Sequence, residues 1–417
     1  MNMNKHMKTK TLPENSSEPA HAAGEANSAS DANAAELTPQ ALLALRWLYD
    51  RLSLSDADRK CLFVKRGLND ATIELLGFRS NPETNKGLLL EMANHFPLAV
   101  LVESGLWKVN ADKVSEPPKP NPQFYGMSIV EKRDAKGKKM RDENGEVPRE
   151  CVWNHPILIP YFNEAGELMH LRPHKGMMAG KPPHLYVVRA KGHANGGENL
   201  QGNPKFALVT EGEFKAAALW QVFGDVAEIG ALPGITMAKP LMGDLEDWLE
   251  TTGVRQVVIG YDSEDKGDEK LPGYQREKHR RFDTHVWARY LARQLSRQGY
   301  EGKVCVLPDE WRDEKGKADW DGYLAVLVKR LGATDGSQAT WEKVRDEIRS
   351  KFLPVIHSAL YIGEFRHTSF FDADIERIIR SALDKISYEP CLPIGGEGEQ
   401  VVSRRLHRLS ARLKQKS

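Results

Sequence analysis

The sequence predicts an α/β protein built on a mainly parallel β-sheet that is flanked by helices. Between residue 205 and about residue 333, short apolar segments alternate regularly with helical patterns. Strands that are apolar throughout are typical of parallel sheets covered on both faces. Glycines stand just after the helical patterns, where a left-handed residue often ends a helix. A third observation is that acidic residues follow several of the strands.

The elements of this region are predicted in a regular order. The strands are 206–210, 226–229, 256–262 and 303–308, and the helices are 213–223, 240–251, 283–298 and 320–331. In an open parallel sheet, ligands bind beyond the carboxyl ends of the strands. We therefore expect a ligand site at that edge of the domain at 205–333.

Helical modules are expected at both ends of the chain. Residues 1–36 are rich in Ala, Asn, Ser and Glu, a composition that predicts a disordered tail. Residues 37–114 carry leucines at helical spacing and are predicted to form a helical N-terminal module. Residues 334–417 are predicted to form a helical, basic C-terminal region. Its last segment, 401–416, has two interpretations, contact with nucleic acid or an ordinary solvated helix.

A β-rich segment is expected at 115–204, between the N-terminal module and the sheet. It begins with a proline-stiffened linker at 115–123 and continues with a charged stretch at 132–149. Two strands around a polar turn then predict a hairpin over 156–172. The basic, Gly-rich stretch that follows, up to His193, is either a solvated loop or a surface that contacts phosphate.

Composition limits the classes of function. At 417 residues, with ~150 residues per domain as a guide, the chain has room for two or three folding units. No apolar run approaches the ~20 residues of a membrane helix, so we expect a cytoplasmic protein without a membrane partner. The net charge is +1, and any nucleic-acid contact must therefore come from local patches. The cysteines form no C-x-x-C pair, which disfavours a zinc ribbon.

Acidic residues follow three of the predicted strands. They are Glu211, then Asp262 and Glu264 (with Asp265 as the alternative to Glu264), then Asp319 and Asp321. Mg²⁺ takes one or two carboxylates, keeps several waters and binds phosphate oxygens. Carboxylates brought together repel one another without a cation. The pattern predicts a Mg²⁺ or Mn²⁺ site for chemistry on phosphate groups, with Glu211, Asp262 and Glu264 as the catalytic candidates.

Lysines near these acids are candidates to contact phosphate or to balance the charge. They are Lys215, Lys239 and Lys317. Acids at helix starts also have a plain structural explanation, because Glu213 and Asp321 stand where a carboxylate favours the helix dipole. Acids on three strands of one sheet are harder to attribute to chance, and this favours a functional site.

The order of VTEGEFKAAAL, IGALPGIT and VVIGYDSED resembles the Toprim domain, which bacterial primases, topoisomerases, some nucleases and recombination proteins share. That family has a Glu after the first strand and Asp-x-Asp after the third. Glu211 and Asp262 match, and Glu264 replaces the second Asp. Upstream, HPILIPYFNEAGELMHLRPH and GKPPHLYVV resemble the primase-core segment that precedes Toprim. GKADWDGYLA resembles a short acidic motif that comes later in the sequence of primase-like Toprim proteins from phages, plasmids and integrated elements. The resemblance covers about 151–333.

The resemblance implies Mg²⁺-dependent nucleotidyl transfer on single-stranded DNA in replication initiation. By this likeness, Glu211 would be a metal ligand or general acid/base, and Asp262 and Glu264 would be metal ligands. Arg172 and Lys175 would face template or nucleotide. The sequence has no G-x-x-x-x-G-K-[ST] motif, so a replicative helicase would be a separate chain. Two alternatives stay open: a metal-dependent Toprim nuclease, for which defence is one option, and a degenerate protein that binds nucleic acid or docks a helicase.

Overall fold

The structure is a computed structural model that describes 37–81, 86–109, 117–121, 124–125, 127–132, 139–141, 145–153, 157–174, 184–190, 206–264, 283–314 and 316–361. The α-helices in these ranges are α1 Pro39–Arg51, α2 Asp56–Arg66, α3 Asp70–Leu76, α4 Lys86–His95, α5 Leu98–Glu103, α6 Glu213–Phe223, α7 Met242–Thr252, α8 Thr284–Arg297, α9 Trp320–Arg330 and α10 Gln338–His357. None of them combines the length and apolar character needed to cross a membrane.

The strands of the same ranges form one large sheet and several short ladders. They are β1 Arg79–Ser80, β2 Trp107–Lys108, β3 Lys119–Pro120, β4 Met127–Glu131, β5 Arg149–Trp153, β6 Ile157–Phe162, β7 Leu168–Pro173, β8 Tyr186–Val187, β9 Phe206–Glu211, β10 Ala227–Leu232, β11 Gln256–Ile259, β12 Ser263–Glu264, β13 Glu301–Val304, β14 Lys317–Ala318 and β15 Leu360–Tyr361. The six-stranded sheet has the order β15-β13-β11-β9-β10-β8.

The four central strands of this sheet are parallel, which confirms the predicted α/β class. β13, β11, β9 and β10 pair in parallel, while the edge strands β15 and β8 are antiparallel. Successive side chains along a strand point to opposite faces. Leu208 therefore packs in one core with α6, α9 and α10, and Ala207 and Val209 pack in another with α7 and α8.

The N-terminal helices share the larger of these cores. Leu62 of α2 and Ile73 of α3 belong to the same apolar cluster as Ala217 of α6 and Leu324 of α9. A third cluster joins α1, α4 and α5 to the β6–β7 hairpin through residues such as Leu171. The limits of the predicted domains stay predictions, but these contacts place the N-terminal module directly against the helices that flank the sheet.

Parts of the predicted organisation differ in detail or lie outside the described residues. Within the expected linker at 115–123, Lys119–Pro120 pairs with β2, because the buried Asn121 ties that segment to Gly105 O at 2.9 Å. The strand predicted at 256–262 ends at Ile259. The tail at 1–36 and the basic C-terminal segment at 401–416 lie outside the described residues.

Candidate acidic site at the carboxyl edge of the sheet

Glu211 lies at the carboxyl end of β9, on the turn into α6. It pairs in register with Leu232 at the end of β10, and the next amide, Gly212 N, donates to Leu232 O at 2.9 Å. Gly212 has φ +80°, a conformation that residues with a side chain rarely adopt. This turn reverses the chain at once, so that Lys215 follows in the first turn of α6 beside the strand ends.

Asp262 lies three residues beyond β11, and the backbone of the segment 260–262 is held from three sides. Gly260 O accepts a hydrogen bond from Thr210 Oγ1 at 2.8 Å and one from Trp320 Nε1 at 2.9 Å. A Cβ at Gly260 would come within 2.9 Å of the Trp320 ring, so the close approach requires glycine. Thr284 Oγ1 at the start of α8 donates to Asp262 O at 2.6 Å. The strand β9 and the helices α8 and α9 thus fix this carboxylate.

Two lysines contact the same oxygen of Asp262. Lys215 Nζ lies 3.0 Å and Lys317 Nζ lies 2.8 Å from Asp262 Oδ2. Asp262 is 2% exposed. Its other oxygen, Oδ1, is buried and has no hydrogen-bond partner among the described residues. A buried polar group is costly without a partner, and Oδ1 is the oxygen of this carboxylate that has none among the described residues.

The lysines remain charged in this setting. Burial would lower the pKa of Lys215, but the negative charges of Asp262, Asp321 and Glu211 outweigh burial and raise it. Burial likewise opposes the charge on Lys317, yet Asp262 and Asp319 raise its pKa. The carboxylates of β9, of the segment after β11 and of α9 therefore act on one shared cation, Lys215.

Asp319 and Asp321 reach the site through β14, which pairs antiparallel with β12. Asp319 is the N-cap of α9 and accepts from Gly322 N at 3.0 Å. Burial, together with the charges of Asp321 and Asp262, raises the pKa of Asp319. Asp321 is fully buried, and its Oδ1 also lacks a hydrogen-bond partner among the described residues. Both acids therefore have a structural role at the start of α9, and both interact electrostatically with the charged groups around Asp262.

Arg172 has a partner that the sequence did not indicate. Its guanidinium forms an ion pair and a hydrogen bond with Glu213, which also accepts from Tyr161 OH at 2.7 Å. Glu213 is 5% exposed. This residue is thus both a helix-start acid and a buried link between the β6–β7 hairpin and α6. A contact of Arg172 with nucleic acid stays a prediction.

The other predicted residues are placed differently. Glu264 lies in β12, opposite Lys317, and its side chain is outside the description. Lys239 is exposed just after the 3₁₀ helix Ile235–Ala238. Lys175 and Asp265 lie outside the described residues.

Sequence patterns missed Arg66, whose Nη1 lies 2.5 Å from Asp321 Oδ2. The two residues are 255 positions apart in the chain. Arginine in the last turn of a helix has a sufficient local explanation in the helix dipole. Arg66 therefore carried no signal of a distant role.

The acidic site could hold a hard divalent cation only with few protein ligands. Within the described ranges, no three Asp, Glu, His or Cys side chains are grouped so as to hold a metal ion. Mg²⁺ usually takes one or two carboxylates and keeps several waters, which does not require such a group. The chemistry of the unpaired Asp262 Oδ1 and of Glu211, whose carboxylates both act on Lys215, is compatible with that smaller requirement.

Fold and site together define an α/β protein with a buried, lysine-paired acidic centre at the carboxyl edge of its parallel sheet. No family model matches the chain, and no curated protein matches it. Solved structures that it resembles include the DnaG primase catalytic domain bound to ssDNA, at 15% identity and TM-score 0.36, over 78% of this chain and 80% of that chain.

Two further solved structures come from other primases. The RNA polymerase domain of Mycobacterium tuberculosis primase DnaG is 11% identical, with TM-score 0.37, over 89% of this chain and 98% of that chain. The primase fragment of bacteriophage T7 primase-helicase protein is 12% identical, with TM-score 0.25, over 70% of this chain and 74% of that chain. These likenesses are loose, and they say nothing about the activity of this chain.

Proposed function

We propose that this chain is a primase-like Toprim protein of a mobile genetic element that performs Mg²⁺-dependent nucleotidyl transfer on single-stranded DNA. The supporting observation is the state of Asp262, which is buried, paired on one oxygen with two lysines and unpaired on the other. The ordered sequence resemblance to Toprim, with Glu211 before Asp262, suggests the class of reaction.

In this proposal the cation is held by Asp262 Oδ1 and Glu211. A bound Mg²⁺ would polarise phosphate oxygens and neutralise the charge that develops on them. Lys215 and Lys317 hold Oδ2 of Asp262 in place before the cation arrives, since each ammonium lies within 3.0 Å of that oxygen. Lysine binds phosphate as a point charge, so the same two side chains can contact the nucleotide once the cation shares Asp262.

A direct assay tests the proposal. Purified full-length chain is incubated with single-stranded DNA of varied sequence, labelled nucleoside triphosphates and Mg²⁺ or Mn²⁺, with and without a replicative helicase. We expect short labelled oligonucleotides that disappear with a chelator. Failure to form such products on every template, with either metal and with helicase present, contradicts the proposal. Parallel reactions with end-labelled DNA and no nucleotides separate the nuclease alternative, which predicts metal-dependent shortening of the DNA.

A second candidate is a protein that binds nucleic acid without chemistry. The observation that favours it is the pairing of Asp262 with two lysines, which balances its charge without a metal. A Glu211→Ala/Asp262→Ala double variant separates the two functions. If the chain only binds, this variant retains its biological activity and its affinity for single-stranded DNA. If it is an enzyme, product formation is lost while folding is retained.

A further inference from the structure

Arg66, in the last turn of α2, links the N-terminal helical module to the acidic site. Its Nη1 lies 2.5 Å from Asp321 Oδ2, and its guanidinium carbon lies 5.1 Å from the centre of the Phe214 ring in α6. Asp321 is fully buried. A buried carboxylate is costly without a partner, and Arg66 is the partner of Asp321 Oδ2.

The end of α2 is fixed against the helix that carries Asp321. Gly67 follows Arg66 with φ +69°, and its left-handed conformation ends the helix. A Cβ at Gly67 would lie 2.8 Å from Ala325 N and from Leu324 Cγ of α9. The backbone next to Arg66 therefore packs so closely against α9 that only glycine fits at position 67.

Gln221 ties the same corner to α6. Its Nε2 donates to Gly67 O at 2.9 Å, and its Oε1 accepts from Asn69 N at 2.7 Å. Gln221 is buried, and α6 starts two residues after Glu211 and carries Lys215. The position of Arg66 is thus set relative to both helices that bring charged groups to the site.

We propose, on the basis of the proposed function, that Arg66 is a positioning residue that holds Asp321 Oδ2 and leaves Asp321 Oδ1 for a divalent cation or its bound water. Oδ1 is buried and has no hydrogen-bond partner among the described residues. The N-terminal module would then complete the acidic centre rather than only cover it. Arg66 touches neither phosphate nor metal in this role and acts through Asp321.

The test measures Mn²⁺ binding by isothermal titration calorimetry on metal-stripped full-length chain. Removing groups that orient metal ligands typically weakens binding 10–100-fold. We expect a weakening of about that size for Arg66→Gln and a smaller one for Arg66→Lys, which keeps the charge. Arg59→Gln is the matched control, because Arg59 lies on the same helix and pairs with Asp70 at 2.8 Å near the surface. We expect it to bind Mn²⁺ as the wild type does.

A double-mutant cycle decides whether Arg66 acts through Asp321. Asp321→Asn should weaken Mn²⁺ binding, and adding Arg66→Gln to it should have no further effect. The double variant leaves no buried charge unpaired, so it serves even where Arg66→Gln alone does not fold, as judged by circular dichroism. A folded Arg66→Gln with wild-type affinity, or losses that add in the double variant, overturns the inference.

The same measurements separate this inference from the proposed function. Mn²⁺ binding that depends on Arg66, in a chain that makes no primers, overturns the proposed function and supports the role of Arg66. If the chain makes primers but Arg66→Gln leaves Mn²⁺ binding unchanged, the proposed function is supported and the role of Arg66 is overturned. Absence of Mn²⁺ binding by the wild type overturns both.

Discussion

At the amino end of the central sheet, Glu228 of β10 is buried beside Arg189, whereas at the carboxyl end Asp262 is buried beside two lysines. Glu228 Oε2 accepts from Arg189 Nη1 at 2.9 Å and from Trp248 Nε1 at 3.4 Å. The side chains of Arg189 and Glu228 are 8% and 6% exposed, so this pair is buried on both sides. Asp262 is buried as deeply but keeps one oxygen unpaired among the described residues.

The difference shows that burial of a charge does not by itself indicate function. A carboxylate matched by arginine and an indole N–H is a structural element, because its hydrogen bonds come from the fold itself. An unpaired buried carboxylate oxygen is costly, and such a cost persists where a ligand offsets it. The described part of the chain has this feature at Asp262 Oδ1 and Asp321 Oδ1, both near the predicted metal position.

The largest expected effect separates the two ends of the sheet by activity. Asp262→Asn removes the charge that would hold the metal. A bound metal of this kind contributes several kcal/mol to stabilisation of the transition state. Since each 1.36 kcal/mol is tenfold in rate, we expect primer synthesis to fall by about 1,000-fold. Single-turnover assays with saturating Mn²⁺ measure the loss. A variant with more than about a tenth of wild-type activity would remove Asp262 from the catalytic centre.

The next effect concerns stability at the amino end. Glu228→Gln leaves Arg189 buried without its anion, and breaking a buried pair in this way costs about 3 kcal/mol or more. Urea denaturation followed by circular dichroism should show this loss, while Mn²⁺ affinity stays at the wild-type value. Altered Mn²⁺ affinity in this variant would mean that the two ends of the sheet are coupled, against the contrast drawn above.

Gly212→Ala tests whether the turn after β9 positions the site. Gly212 has φ +80° and ψ 144°, a region restricted almost entirely to glycine, and the strain costs about 2 kcal/mol. We expect lower stability and weaker Mn²⁺ binding together, because Glu211 and Lys215 flank this turn. Gly253→Ala is the matched control, since Gly253 has φ +71° at the end of α7 with open space around it. Its variant should lose stability without changing Mn²⁺ binding.

The smallest expected effect comes from an exposed carboxylate, which extends the comparison to the surface. Asp335 accepts from Ser337 N at 3.1 Å and from Thr340 Oγ1 at 2.9 Å, and these bonds lower its pKa. A carboxylate whose pKa is lowered by folding stabilises the folded chain at pH values above its unfolded-state pKa of about 3.9. That stabilisation is lost as the pH falls through the lower folded-state pKa. Asp335→Ala should therefore lower the melting temperature slightly at pH 7 and leave it unchanged near pH 2. An equal change at both pH values would rule out an ionic contribution.

Much of the sheet could be predicted from the sequence because β9, β10 and β11 are largely apolar and buried on both faces. The predicted strand at 256–262 is too long because Gly260 leaves the ladder with β13 and bonds to Trp320 and Thr210 instead. That departure depends on a residue of α9 far along the chain. Local apolar pattern cannot show where a tertiary contact ends a strand.

Part of the candidate site could also be predicted from the sequence, because the order of the strands brings Glu211 and Asp262 to the same edge of the sheet. The pairing of Lys215 and Lys317 with one oxygen of Asp262 depends on how α6 and β14 approach that edge, which no spacing encodes. The Arg172–Glu213 pair joins segments 41 residues apart, and each residue has a sufficient local explanation. Such residues become visible only when the packing between elements is known.

The hydrogen bond from Thr284 Oγ1 to Asp262 O joins two residues that lie on either side of the segment at 265–282. Adding residues between two fixed ends has a low general cost, since doubling a flexible loop adds only ~0.6 kcal/mol of closure free energy. Because the bond closes the base of the segment, such changes need not move Asp262. This position is therefore suited to sequence insertion beside the acidic site, where new binding specificity can be gained while the carboxylate stays in place.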